Sequence, residues 1–227
     1  MKQLTILGNW KANKTVAEAR EWISAFLELS PTIPPYVSVV LCPSFIHLSL
    51  FLEVSLPISL GLQDVSAYPS GAYTGEVSST MVSGSASYVL IGHSERRTNL
   101  HETDAVVIEK VHRCQDSHIR PVVCVSALDQ VNALATFIPS FGETGMILYE
   151  PPSAIGSGKP ALPEEVNEMA KSIKERMSGI SVLYGGSVTP ENVLPFYQSD
   201  LIDGIGVGGA SLSVDSFFGL IQKASSL

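Results

Sequence analysis

The segment GMILYEPPSAIGSGKPALPEEV, residues 145–166, contains one complete structural unit. Met146-Ile147-Leu148-Tyr149 is apolar on consecutive residues, the mark of a strand covered on both faces. It ends on a carboxylate, Glu150. Pro151 and Pro152 stiffen the chain at once, because proline fixes its own φ and biases the residue before it toward extended backbone. Ser153, Ala154, Ile155, Gly156, Ser157, Gly158 and Lys159 then loosen it. Pro163, followed by Glu164 and Glu165, starts a helix: proline suits the first turn, and acids favour the positive end of the dipole. The order is strand, loop, helix, with an acid at the strand's C-terminal end.

The same unit recurs in both directions. Leu4–Gly8, Val37–Cys42, Ile58–Leu62, Tyr88–Gly92, Pro121–Val125, Ser181–Tyr184 and Gly204–Val207 are the other short apolar runs. Amphipathic patterns lie between them. Val16–Leu29 places Val16, Ala19, Ile23, Phe26 and Leu27 on one face. Asp104–Cys114 does so with Val107, Ile108 and Val111, and Glu164–Met177 with Met169, Ala170 and Ile173. Asp215–Ala224 closes the chain as a helix. Eight β–α units with no linker or change of composition between them predict an α/β protein, a closed (β/α)8 barrel, with residues 1–227 as a single domain. A doubly wound open sheet is the rival. It usually shows G-x-G-x-x-G after the first strand, where this chain has Asn9-Trp10-Lys11.

Composition sets limits on function. The chain has 227 residues, is 45% hydrophobic and 16% charged, and has a formal net charge of −8. That is core-rich and acidic, which argues against nucleic acid as a partner. The greasiest region, residues 45–62, contains Glu53 and Pro57 and is not expected to span a membrane. Cys42, Cys114 and Cys124 are odd in number and far apart, so neither a disulfide framework nor a metal ribbon is expected. Reduced thiols and the lack of a signal-peptide pattern predict a cytoplasmic protein.

In a barrel, chemistry collects where strands end. Asn9 and Lys11 follow the first strand, and His93, Ser94 and Glu95 the fourth. Glu150 follows the sixth, Gly185-Gly186-Ser187 the seventh, and Gly208-Gly209 the eighth. Taken singly, most have a plainer reading. Lys11 could be a solvated charge, Asn9 a turn former, His93 a satisfied structural histidine, and Glu95 one partner of Arg96 or Arg97. Glu150 resists this, since an acid directly after four apolar residues risks burial without a partner. Glycine loops after the last two strands let backbone N–H groups cradle an anion such as phosphate.

Six stretches together resemble the triosephosphate isomerase family: GNWKAN (8–13), GAYTGEVSS (71–79), YVLIGHSERR (88–97), YEPPSAIGSGK (149–159), YGGSVTPEN (184–192) and GVGGASL (206–212). The resemblance implies a homo-oligomeric barrel that interconverts dihydroxyacetone phosphate and glyceraldehyde 3-phosphate through an enediolate, with no cofactor and no metal. It assigns Glu150 as general base and His93 as electrophile. Asn9 and Lys11 contact substrate, with Glu95 as an additional carboxylate near that lysine. Gly156, Ser187, Gly208 and Gly209 meet the phosphate, and residues 151–159 form a lid over it. Thr74 lies in the loop that enters a neighbouring subunit in a homodimer or homotetramer.

The chain departs from the family in two places. Ser153 stands where members more often carry a large aromatic, and the Pro-Pro lid with the short length resembles the archaeal-type members. Two other readings remain: a phosphosugar-binding barrel without turnover, and an isomerase acting on a larger phosphosugar.

Overall fold

The computed structural model describes residues 3–224. Its strands are β1 (Leu4–Asn9), β2 (Val37–Cys42), β3 (Ser59–Leu62), β4 (Tyr88–Ile91), β5 (Arg120–Val125), β6 (Met146–Tyr149), β7 (Ser181–Tyr184) and β8 (Gly204–Val207). All pairings are parallel, and they close into a barrel in sequence order. Closure is made by β8 on β1, from Thr5 opposite Gly204 to Gly8 opposite Val207. The open-sheet rival is thereby excluded.

Helices connect the strands: α1 (Val16–Leu29), α2 (Leu48–Leu52), α3 (Ser79–Val82), α4 (Ser94–Asn99), α5 (Asp104–Asp116), α6 (Leu128–Phe137), α7 (Phe141–Thr144), α8 (Pro163–Arg176), α9 (Leu194–Tyr197) and α10 (Val214–Ala224). Several connections are only a turn long, α3 and α9 among them. The long helices start where their caps allow. Thr15 and Glu18 form a reciprocal capping box at α1, and the Thr103 side chain accepts from Val106 N at α5. The buried face of α1 differs from the expected one: Val16 is 46% exposed, packing begins at Ala19, and Trp22 joins Ile23 and Phe26 inside.

Because successive strand residues face opposite sides, the barrel has two cores. Leu7, Val122, Cys124, Met146, Leu148 and Leu183 fill its interior. Ile6, Val123, Ile147, Tyr149, Val182 and Tyr184 pack outward in the layer shared with the helices. The same parity fixes the site. Asn9 is two residues beyond Leu7, and Glu150 two beyond Leu148, so both side chains come off the inward face at the barrel mouth. Among the described residues no helix is long and apolar enough to cross a membrane. Cys42, Cys114 and Cys124 are free and buried.

Candidate active site

At the C-terminal mouth a cavity of about 340 Å³ is lined by Asn9, Lys11, His93, Glu150, the lid at Ile155, Gly156 and Gly158, and the loops after β7 and β8. Asn9, His93 and Glu150 are each less than a tenth exposed. His93 Nε2 lies 3.3 Å from Glu150 Oε1. On the other side of the ring, His93 caps α4: the backbone N–H of Glu95 donates to Nδ1 at 3.3 Å. An accepting Nδ1 leaves the ring proton on Nε2, the nitrogen that faces the cavity. The Glu95 carboxylate does not compete for Nδ1, since its Oε2 is 3.6 Å away and its Oε1 is taken by Lys11.

Glu150 is aimed by glycine. A Cβ on Gly185 would stand 3.2 Å from Glu150 Cγ and 3.4 Å from Oε1. The backbone N–H of Glu150 donates to Val125 O, and that of Gly185 to Tyr149 O, extending the barrel ladder by one rung on either side of the acid. Glu150 Oε2 and Ser94 Oγ are both buried without a hydrogen-bond partner. A buried carboxylate oxygen is costly, and this one belongs to a side chain that lines the cavity, with the Cys124 thiol as its neighbour within the barrel. The Cys124 thiol lies on the barrel side of Glu150; burial first, then the carboxylate's charge, push that thiol up, so it stays protonated.

Lys11 has φ of +53°, a left-handed conformation rare outside glycine. It is held there from three sides. Its N–H donates to Asn9 Oδ1 at 2.9 Å, and its carbonyl accepts from Ser44 Oγ at 3.0 Å and Gln63 Nε2 at 2.9 Å. The ammonium reaches Glu95 Oε1 at 2.5 Å. Gly208 leaves room for it, because a Cβ there would stand 3.0 Å from Lys11 Cε. Ser187 has a φ of +51°, so two non-glycine left-handed residues line one mouth, a form of strain that gathers at functional sites.

The lid is closed. Ala154 is buried, and its carbonyl accepts from Ser187 Oγ at 2.7 Å. The N–H of Gly158 donates to Ser187 Oγ at 3.2 Å. At its far end the N–H of Ala161 donates to Tyr184 Oη at 2.8 Å, and that hydroxyl donates to Gly186 O at 3.0 Å. Burial pushes the Tyr184 phenol up, which keeps its proton in place for that second bond. Pro151 is buried at the hinge, while Ser153 is exposed. Thr74 is exposed on the separate loop of residues 68–76, away from this cavity.

Of the residues expected from the strand-end pattern, Asn9, Lys11, His93, Glu150, Gly185, Gly186, Ser187, Gly208 and Gly209 line this cavity; Glu95 lines the adjoining cleft, and the Ser94 hydroxyl is buried away from both. Tyr184, Ser44 and Gln63 were not singled out from the sequence. Tyr184 precedes the double glycine and was visible only as an apolar strand residue. Ser44 and Gln63 act on a main-chain carbonyl, which leaves no local pattern.

A closed parallel barrel whose mouth pairs a buried carboxylate and imidazole with glycine-rich anion loops defines the class of (β/α)8-barrel isomerases. Comparison with known proteins narrows it. The family model described as triosephosphate isomerase matches residues 4–224. The triosephosphate isomerase of Thermus thermophilus is 38% identical over 252 aligned residues, covering 99% of this chain and 100% of that protein. Those of Mycoplasmopsis pulmonis and Deinococcus radiodurans are also 38% identical, over 97% and 94% of this chain and 98% and 96% of theirs. The chain belongs to the triosephosphate isomerase family.

Proposed function

We propose that this chain interconverts dihydroxyacetone phosphate and D-glyceraldehyde 3-phosphate, with Glu150 as general base and His93 as electrophile. The observation that carries this assignment is the buried pairing of His93 Nε2 with Glu150 Oε1 at 3.3 Å, both side chains lining the cavity at the mouth. Glu150 takes a proton from the carbon next to the substrate carbonyl. The electron pair moves onto the carbonyl oxygen, giving an enediolate, and Nε2–H of His93 donates to the oxygen where charge develops. Proton exchange between the two oxygens, and return of the proton from Glu150 to the other carbon, complete the isomerisation. This family is itself the standard illustration of a base working opposite a neutral, helix-capped imidazole.

Lys11 and Asn9 add electrostatic stabilisation beside the enediolate. Gly208 and Gly209 N–H groups, with Ser187 and the lid at Gly156, receive the phosphate. Residues 151–159 act as the lid, and closing it excludes the water into which an enediolate would lose phosphate. The chemistry is carried by side chains alone, without cofactor or metal.

The chain is proposed to act as one domain in the cytoplasm, with no nucleic-acid or membrane partner. It self-associates as a homodimer or homotetramer, with Thr74 near the neighbouring subunit's mouth. Exposed Tyr68 and Tyr73, stacked with centroids 4.4 Å apart on the Thr74 loop, support that last point. A coupled assay in both directions on purified protein tests the main proposal: turnover of both triose phosphates is expected, and binding of 2-phosphoglycolate without turnover would point instead to a binding barrel.

A further inference from the structure

The loop after β8 is fastened from behind by side chains that never reach the cavity. It folds as a short 3-10 turn, Gly209–Ser211, with Gly208 at its head. Ser211 Oγ donates to Gly208 O at 2.6 Å, and Ser211 N to the same carbonyl at 2.9 Å. The tail of the turn carries two outward carbonyls. Ser211 O accepts from Trp10 Nε1 at 3.2 Å and from Trp22 Nε1 at 3.1 Å, so both of its lone pairs are used. Leu212 O accepts from Lys14 Nζ at 2.8 Å, and that ammonium lies 5.1 Å from the centre of the Trp10 ring.

Buried indoles find a partner for their N–H, and here both find the same carbonyl, which ties two separate parts of the chain to this turn. They come from different elements. Trp10 lies between Asn9 and Lys11 at the barrel mouth, and Trp22 lies in α1. Their rings meet edge to face at 5.3 Å, and Trp22 stacks on Phe26 at 4.8 Å. Gly8 brings the turn close to β1, since a Cβ there would stand 2.9 Å from Ser211 Cβ. The head of a 3-10 turn presents N–H groups and its tail presents carbonyls. Donors locked onto the tail fix the direction in which the head points.

We infer that Trp22 and Lys14, neither of which touches the cavity, are positioning residues for the phosphate group of the substrate, clamping the Gly208–Ser211 turn through the carbonyls of Ser211 and Leu212. This rests on the reading that Gly208 and Gly209 receive phosphate. It separates two contributions in the mouth. Glu150 and His93 act on the carbon skeleton, and the clamp acts only on the anion held beside it.

Trp22→Phe keeps the aromatic packing and removes one N–H, leaving Ser211 O its bond from Trp10. The expected loss in kcat/KM on both triose phosphates is about three- to tenfold, the net worth of one buried hydrogen bond. Competitive inhibition by inorganic phosphate weakens by the same factor. Turnover of glyceraldehyde, the same skeleton without phosphate, stays within twofold of wild type. Amide hydrogen exchange rises at residues 208–212 and not in α1.

Lys14→Met, at a partly exposed position, repeats the measurement should Trp22→Phe fold poorly; comparing it with wild type at high salt, where the lysine's charge is screened, isolates the lost hydrogen bond. An equal loss on glyceraldehyde and on the phosphates makes the effect general and overturns the inference, as does no loss on either. Failure of wild type to bind inorganic phosphate or 2-phosphoglycolate defeats the phosphate reading itself, which is a different result from wild-type binding left unchanged in the variants.

Discussion

Replacing Gly185 by alanine tests how Glu150 is aimed. Gly185 has no left-handed φ, so alanine fits its backbone, and its N–H bond to Tyr149 O is untouched. The added methyl meets Leu148 Cδ1 at 3.0 Å and Glu150 Cγ at 3.2 Å. Carbon atoms settle near 3.5–4.0 Å, so the carboxylate must retreat by roughly half an ångström. A misplacement of about 1 Å in a reacting group is worth around a hundredfold, so about tenfold is expected in kcat, or ~1.4 kcal/mol of barrier. KM should change less than kcat, because the added methyl meets Leu148 and Glu150 and not Ser187 two residues on. Gly186→Ala is the contrast: its methyl would meet Tyr184 Oη at 2.6 Å and Ala154 Cβ at 2.8 Å, which disturbs the lid and should raise KM. The assay is steady-state kinetics in both directions, with Tm measured on each variant. If Gly185→Ala turns over within twofold of wild type, the carboxylate is not held by that wall and the geometric argument fails.

Removing the Tyr184 hydroxyl with Tyr184→Phe leaves Ala161 N–H without its partner, and should weaken 2-phosphoglycolate by about five- to a hundredfold, as for an orphaned buried donor; unchanged affinity would show that the latch is idle. Lys110 is buried and joins Asp64 at 2.6 Å and Glu102 at 2.5 Å, with Arg96 bonded to both acids. Lys110→Met should destabilise by about 3–5 kcal/mol, and a loss below about 1 kcal/mol in urea unfolding would count against the network. Burial holds the thiols of Cys42 and Cys124 up, and that of Cys114 up to about 12. Raised thiols favour the folded state below the unfolded value and lose that advantage as pH climbs toward the folded one. The three together should remove about 3 kcal/mol of stability between roughly pH 8.5 and 9.5. Denaturation at the two pH values checks this, and Cys114→Ala should take away about a third of the change.

The sequence made the strands legible because both faces of each are covered. Val37–Cys42, Met146–Tyr149, Ser181–Tyr184 and Gly204–Val207 appear with the expected bounds. The site residues were legible for a related reason: polar groups at strand ends stand out against apolar runs, as Glu150 does after Tyr149. What stayed hidden depends on distant partners. The closed lid rests on Ala161 meeting Tyr184 and on Gly158 meeting Ser187. The tautomer of His93 depends on the amide two residues later, which only a helix start there supplies. Helices of one turn, such as Ser79–Val82 and Leu194–Tyr197, are too short to carry a periodic signal. Spacing alone puts Val16 on the buried face of α1, and spacing does not reveal where a helix first meets the barrel.

The most direct test of the central claim is solvent deuterium incorporation at the reacting carbons of dihydroxyacetone phosphate, followed by NMR in wild type and Glu150→Gln. If Glu150 is the base, wild type exchanges and isomerises together, and the variant loses both by about 10²–10⁴-fold or more while still binding 2-phosphoglycolate. Exchange in Glu150→Gln at the wild-type rate would contradict the account.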